Sequence, residues 1–147
     1  MSTGAGGVDV EGWGWIRASW WFTGLFVVTT LLAVAVEGFR VVAAIVDLVL
    51  FAMGVVVFLG AFFTAVSRSR TELIGVGGLY FLAGCAPRRV RLHLLGAFAV
   101  QVVVALVAAS LAPFTAVAFG ILVPVLGLGM AGWWGARYGQ FPPRPTD

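Results

Sequence analysis

Four long apolar runs divide the chain, and short polar or glycine-rich stretches separate them. The first covers about 20–36 and closes on the turn Glu37-Gly38-Phe39-Arg40. The second covers 41–66; its 26 residues rise roughly 39 Å as a helix against a hydrocarbon core of about 30 Å, so it tilts or protrudes. The third covers 94–112 and stops at Pro113, and the fourth covers 114–136. Runs of this length predict membrane-spanning helices, since lipid offers the backbone no other hydrogen-bond partners. The expected fold is an all-α integral membrane protein, with four transmembrane helices as two antiparallel hairpins in one membrane domain over 1–147.

The stretch 67–93 reads differently. Ser67 to Glu72 is polar, Leu73 to Ala86 is apolar, and Pro87 to His93 is basic. A helix over 73–86 would be roughly 21 Å long, too short to cross, and Gly75, Gly77, Gly78 and Gly84 weaken it further. A crossing would also put the two arginine clusters on opposite sides. The reading is a cytoplasmic loop with an interfacial or re-entrant segment.

Charge and aromatic placement then orient the chain. All six tryptophans and eight of the nine basic residues fall on one side of this threading, with Arg40 the exception. Positive charge is retained in the cytoplasm and indoles settle at headgroup depth, so both termini are expected inside a bacterial plasma membrane. The chain has no lysine, in keeping with a GC-rich genome. Only 10% of residues are charged and 61% are hydrophobic, against about a quarter charged in soluble domains. The net charge of +3 points to anionic lipid headgroups, with Arg68, Arg70, Arg88, Arg89 and Arg91 as the contacts. It does not point to nucleic acid, because the arginines flank apolar runs and form no basic stripe with stacking aromatics. A cleaved signal peptide is disfavoured by Asp9 and Glu11 in the n-region. Leu82-Ala83-Gly84-Cys85 imitates a lipobox but follows two complete spans, so the cysteine reads as a small buried residue.

Asp47 is the one ionisable side chain well inside an apolar run. A carboxylate at mid-helix costs about 2.5–3.5 kcal/mol on insertion scales, so such residues face the bundle interior and find partners. Thr29 and Thr30 lie at nearly its depth, and Arg40 stands two turns up the same face. Ala44, Asp47, Gly54, Ala61 and Ala65 form a small-residue stripe that lets helices approach closely. Asp47 is expected either to lock the first hairpin through a threonine or to act as a protonatable site for coupled transport.

Gln101 sits on a second stripe with Ala97, Ala105 and Ala109, about as deep as Pro124 in the fourth span. Proline there frees the carbonyl of Gly120, and the glutamine amide is expected to reach such a carbonyl as a packing repair. Gly127, Ala131 and Gly135 make a small-xxx-small line for packing within the chain or against another protein.

The remaining polar residues supply little chemistry. His93 stands without a second histidine or an acid pair for a metal, and no serine or threonine has a base partner. No phosphate-binding lysine motif exists, and Gly75-x-Gly77-Gly78 lacks a dinucleotide-binding context. The ends, 1–12 and 138–147, read as flexible tails, the second proline-rich. No cofactor, metal or catalysis is expected. The expected role is a non-enzymatic accessory or assembly subunit that binds another membrane component, and the expected partners are the lipid bilayer and either a membrane protein or, as a homo-oligomer, the chain itself. The alternative is a small oligomeric transporter or channel using Asp47.

Overall fold

The computed structural model describes residues 11–145. They form five α-helices: α1 (Trp13–Ala35), α2 (Arg40–Arg68), α3 (Val76–Phe81), α4 (Arg88–Leu111) and α5 (Pro124–Tyr138). Two 3-10 stretches, Glu37–Phe39 and Ala116–Leu122, precede α2 and α5. Four segments are long and apolar enough to cross a membrane: Trp13–Ala35, Glu37–Arg68, Arg88–Leu111 and Ala116–Tyr138. Among the described residues there is no strand beyond one isolated bridge between Glu72 and Pro143.

The helices pack in the cyclic order α1, α2, α5, α4, and α2 against α5 is the most extensive contact. Side-chain size explains that closeness. A Cβ on Gly54 of α2 would fall 2.6 Å from the backbone nitrogen of Leu126, and one on Gly129 of α5 would fall 3.0 Å from the Gly54 carbonyl oxygen. Two glycines therefore let the backbones touch, the arrangement by which helices gain contact in lipid. The small stripe of α2 faces inward, with Ala44, Asp47, Gly54, Ala61 and Ala65 all buried. Its opposite face exposes Val41, Ile45, Val49, Val56 and Phe63, as expected of a surface that meets acyl chains. α5 is buried on most sides, and its glycines serve several neighbours: Gly127 meets α4, Gly132 meets Tyr80 and Gly135 meets the Leu79 carbonyl of α3.

Three boundaries depart from the sequence reading. α1 begins at Trp13, so the tryptophan-rich approach is itself helical. α4 begins at Arg88, which makes the basic run its first turn, with the Arg91 amide donating to the Pro87 carbonyl at 3.1 Å. The fourth span is divided. Pro124 has no N–H to return to Gly120, so the Val123 amide takes the Gly120 carbonyl at 3.1 Å and the chain runs as a 3-10 helix up to that point. Pro124 then opens α5 from its first turn, where the missing donor costs nothing.

The C-terminal segment is the fourth departure. Residues 139–145, expected to trail freely, lie along the 71–85 loop. Leu73 donates to the Pro142 carbonyl at 2.9 Å, Arg144 to that of Thr71 at 2.8 Å, and Gln140 to that of Cys85 at 3.0 Å. Residues 1–10 and 146–147, the rest of the expected tails, lie outside the described residues.

Candidate functional site

Asp47 projects from α2 into the bundle and is only 2% exposed. It does not meet the partners its depth suggested. The Thr29 hydroxyl shares its proton between the carbonyls of Leu25 (2.9 Å) and Phe26 (3.0 Å) on its own helix. Thr30 is buried but makes no hydrogen bond to Asp47 among the described residues. Arg40 turns to the outer rim, where Nε donates to the Ala33 carbonyl at 3.4 Å and Nη1 lies 3.5 Å from Glu37 Oε1. The proposed cluster of Asp47, Thr29, Thr30 and Arg40 is thus not assembled. Threonine hydroxyls satisfy themselves on carbonyls one turn back, and the guanidinium stays near water. What faces Asp47 is the 3-10 stretch: a Cβ on Gly120 would lie 3.4 Å from Oδ2 and 3.1 Å from the Phe26 ring. Oδ1 is buried with no hydrogen-bond partner among the described residues.

Gln101 is fully engaged. Its Nε2 donates to the Thr23 hydroxyl oxygen at 2.7 Å, and its Oε1 accepts the Gly127 amide at 3.1 Å. Thr23 in turn donates to the Ser19 carbonyl at 2.8 Å. The glutamine, expected to serve a carbonyl freed at Pro124, meets the Gly127 amide. The group left open is an N–H instead, because the Leu126 amide already takes the Val123 carbonyl at 2.8 Å and the first turn of α5 has amides to spare. Ala131 packs with Trp134, Leu94 and Ile16 in the adjoining core.

The tryptophans and most cations gather at one end of the bundle, where α1 and α4 begin and α5 ends. Trp15 donates its indole N–H to the Met130 carbonyl at 2.8 Å and stacks on Trp133 at 5.8 Å. Trp134 donates to the Glu11 carbonyl at 3.0 Å and is buried. These three rings therefore hold the helices together. Trp13, Trp20 and Trp21 are exposed, Trp21 by 75%, and with Ile16, Arg17 and His93 they line a recess of about 360 Å³. His93 sits edge-on to Trp13 at 5.6 Å and to Trp20 at 6.4 Å. Treating His93 as an isolated residue missed this recess. The signal was present: Trp13, Arg17 and Trp20 follow helical spacing on one face of α1, and Arg89 and His93 do so on α4.

Arg68 also departs from expectation. Its guanidinium donates to the carbonyls of Ala136 (2.7 Å) and Gly139 (3.0 Å), lies 2.6 Å from Glu72 Oε2, and sits 5.5 Å from the Phe141 ring centre. The Glu72 contact is a charge contact outside hydrogen-bond geometry. A cation from the end of α2 thereby caps the C-terminus of α5, the end that favours positive charge. Arg70, Arg88, Arg89 and Arg91 are exposed. In the neighbouring loop, burial pushes the Cys85 thiol above its ordinary range, and the thiol donates to the Gly78 carbonyl at 2.9 Å. Burial likewise raises Tyr80, whose hydroxyl donates to the Phe58 carbonyl at 3.0 Å.

No protein-family model, curated protein or solved structure matches this chain.

Proposed function

We propose that this is a bacterial plasma-membrane protein whose four spans form two antiparallel hairpins, with both termini and the 67–93 loop in the cytoplasm. In this reading it is a non-enzymatic accessory or assembly subunit that binds another membrane component. The observation that carries the reading is the separation of its polar chemistry. Inside the bundle, Gln101, Thr23 and Thr29 serve the protein's own backbone and hydroxyls. The groups free to meet something else, Arg17, Arg70, Arg88, Arg89, Arg91 and His93, are exposed near the tryptophan-bearing end. Retention of positive charge in the cytoplasm supports the orientation, and anionic headgroups suit these arginines.

The native mass of the protein, extracted in a mild detergent from its host membrane, tests the reading. A stoichiometric foreign protein is the expected result. A chain that migrates alone or solely with copies of itself overturns the accessory role.

A second reading, a small oligomeric transporter or channel coupled through Asp47, draws on one observation. The Asp47 carboxyl faces the non-α break at Gly120, and its Oδ1 is buried without a hydrogen-bond partner among the described residues; broken helices beside an intramembrane acid are a transporter device. Asp47→Asn should then abolish a proton-dependent flux in proteoliposomes while the fold persists. Unchanged flux removes this reading.

A further inference from the structure

The recess between α1 and α4 has a composition of its own. Three exposed indoles, Trp13, Trp20 and Trp21, wall it; Arg17 and His93 supply two nitrogen-rich heads; and among the described residues no carboxylate lines it. Neither Arg17 nor His93 makes a hydrogen bond or ion pair to another described residue. The geometry follows from the two helices. On α1, residues 13, 17 and 20 are stacked on one face, since side chains at three- and four-residue spacing are neighbours. On α4, Gly96 has no side chain, and the Trp20 ring reaches to 3.9 Å from where its Cβ would stand. That gap lets the indole lie across α4 one turn beyond His93, so that the His93 ring stands nearly perpendicular to both Trp13 and Trp20.

We propose that this recess is a binding site for the phosphodiester headgroup of an anionic phospholipid. Arg17 and His93 donate to the phosphate oxygens, and the tryptophans cover the glycerol and the first acyl methylenes. Three features favour that occupant. A guanidinium and an imidazole that have no acid partner among the described residues match a phosphate. Indoles match the boundary between headgroup and hydrocarbon, where one side of the ring is apolar and the other wet. The volume of about 360 Å³ lies in the range of small-ligand sites, which run from roughly 300 to 1,000 Å³. Arg88, Arg89 and Arg91, in the first turn of α4, add long-range attraction for the anionic leaflet.

The inference rests on the four-span membrane reading, yet it needs no protein partner, so the two fail separately. The test uses the full chain in nanodiscs of phosphatidylcholine doped with phosphatidylglycerol carrying bromine near the head of its acyl chains, with tryptophan quenching as the readout. Saturable quenching is expected at a low fraction of the anionic lipid, and Arg17→Gln with His93→Gln should weaken it by roughly tenfold. Arg144→Gln, which removes one positive charge outside the recess, should leave the midpoint within about twofold. Brominated phosphatidylcholine quenching equally well, or Arg144→Gln acting as strongly as Arg17→Gln, overturns the proposal. Inorganic phosphate displacing the quencher at millimolar concentration overturns the lipid as the source. A foreign protein missing from the native mass with lipid quenching intact would count against the accessory role alone.

Discussion

The side-chain oxygen of Gln101 accepts the backbone amide of Gly127 at 3.1 Å, tying α4 to the first turn of α5 where Pro124 has broken the fourth span. The same glutamine reaches Thr23 on α1, so one side chain joins three helices. Gln101→Leu leaves the Gly127 amide buried without a partner and should lower stability by about 1–2 kcal/mol. Thermal unfolding in detergent measures it. Thr23→Val should cost less than that alone, and the double variant should cost less than the sum of the two.

Gly54 and Gly24 both sit inside long helices, but among the described residues only Gly54 faces a neighbour closely. A Cβ at Gly54 would meet the Leu126 backbone at 2.6 Å, and nothing lies within 4 Å of one at Gly24. Backbone cannot rotate aside as a side chain can. Gly54→Ala should therefore push α2 from α5 and cost about 1–3 kcal/mol, while Gly24→Ala leaves the melting temperature unchanged or higher. Equal effects at both positions would mean that the α2–α5 contact is not a backbone contact.

Asp47 has one buried oxygen without a donor among the described residues, and Thr29 and Arg40, two of its expected partners, are engaged elsewhere. Asp47→Asn should consequently leave thermal stability unchanged or raise it. A fall of more than about 1 kcal/mol would show that the carboxylate is held by a bond to the protein. This stability measurement complements the flux assay, because a stable Asn variant is the one on which flux can be interpreted.

Arg68 holds the end of the chain through the Ala136 and Gly139 carbonyls, and the segment beyond covers the loop that contains Cys85. Arg68→Ala should free residues 139–145 to proteolysis at a cost of about 1.5–3 kcal/mol. Cys85 reports the same event. Its thiol is only 4% exposed, and burial raises it above the ordinary thiol range, so alkylation of the native protein near pH 8 should be slow and should quicken as pH rises. The Arg68 charge draws the thiol slightly downward, so its loss by itself would slow alkylation. Faster labelling of Arg68→Ala at the same pH therefore reports opening of the tail, with the charge effect running the other way.

An all-helical chain with four segments long enough to span a membrane, and the inward face of α2, are legible in residue order alone. Four apolar runs demand helices wherever lipid offers the backbone no partner, and the runs appear as four segments long enough to span. The small-residue stripe around Asp47 and Gly54 is the buried face of α2, because only small side chains let two helices approach, and that spacing is legible in one dimension. Tertiary structure decided which polar groups meet. Whether Asp47 finds Thr29 or Gly120 depends on the rotation of α1 and on a 3-10 stretch that depth counting along ideal helices does not contain. Gln101 finds an amide and not a carbonyl because Pro124 opens a helix where the sequence reading placed it inside one. The recess around His93 and the docked tail are likewise contacts between segments far apart in the chain. Periodicity reports which face a residue occupies on its own helix; the neighbour across that face is set by packing of the whole bundle.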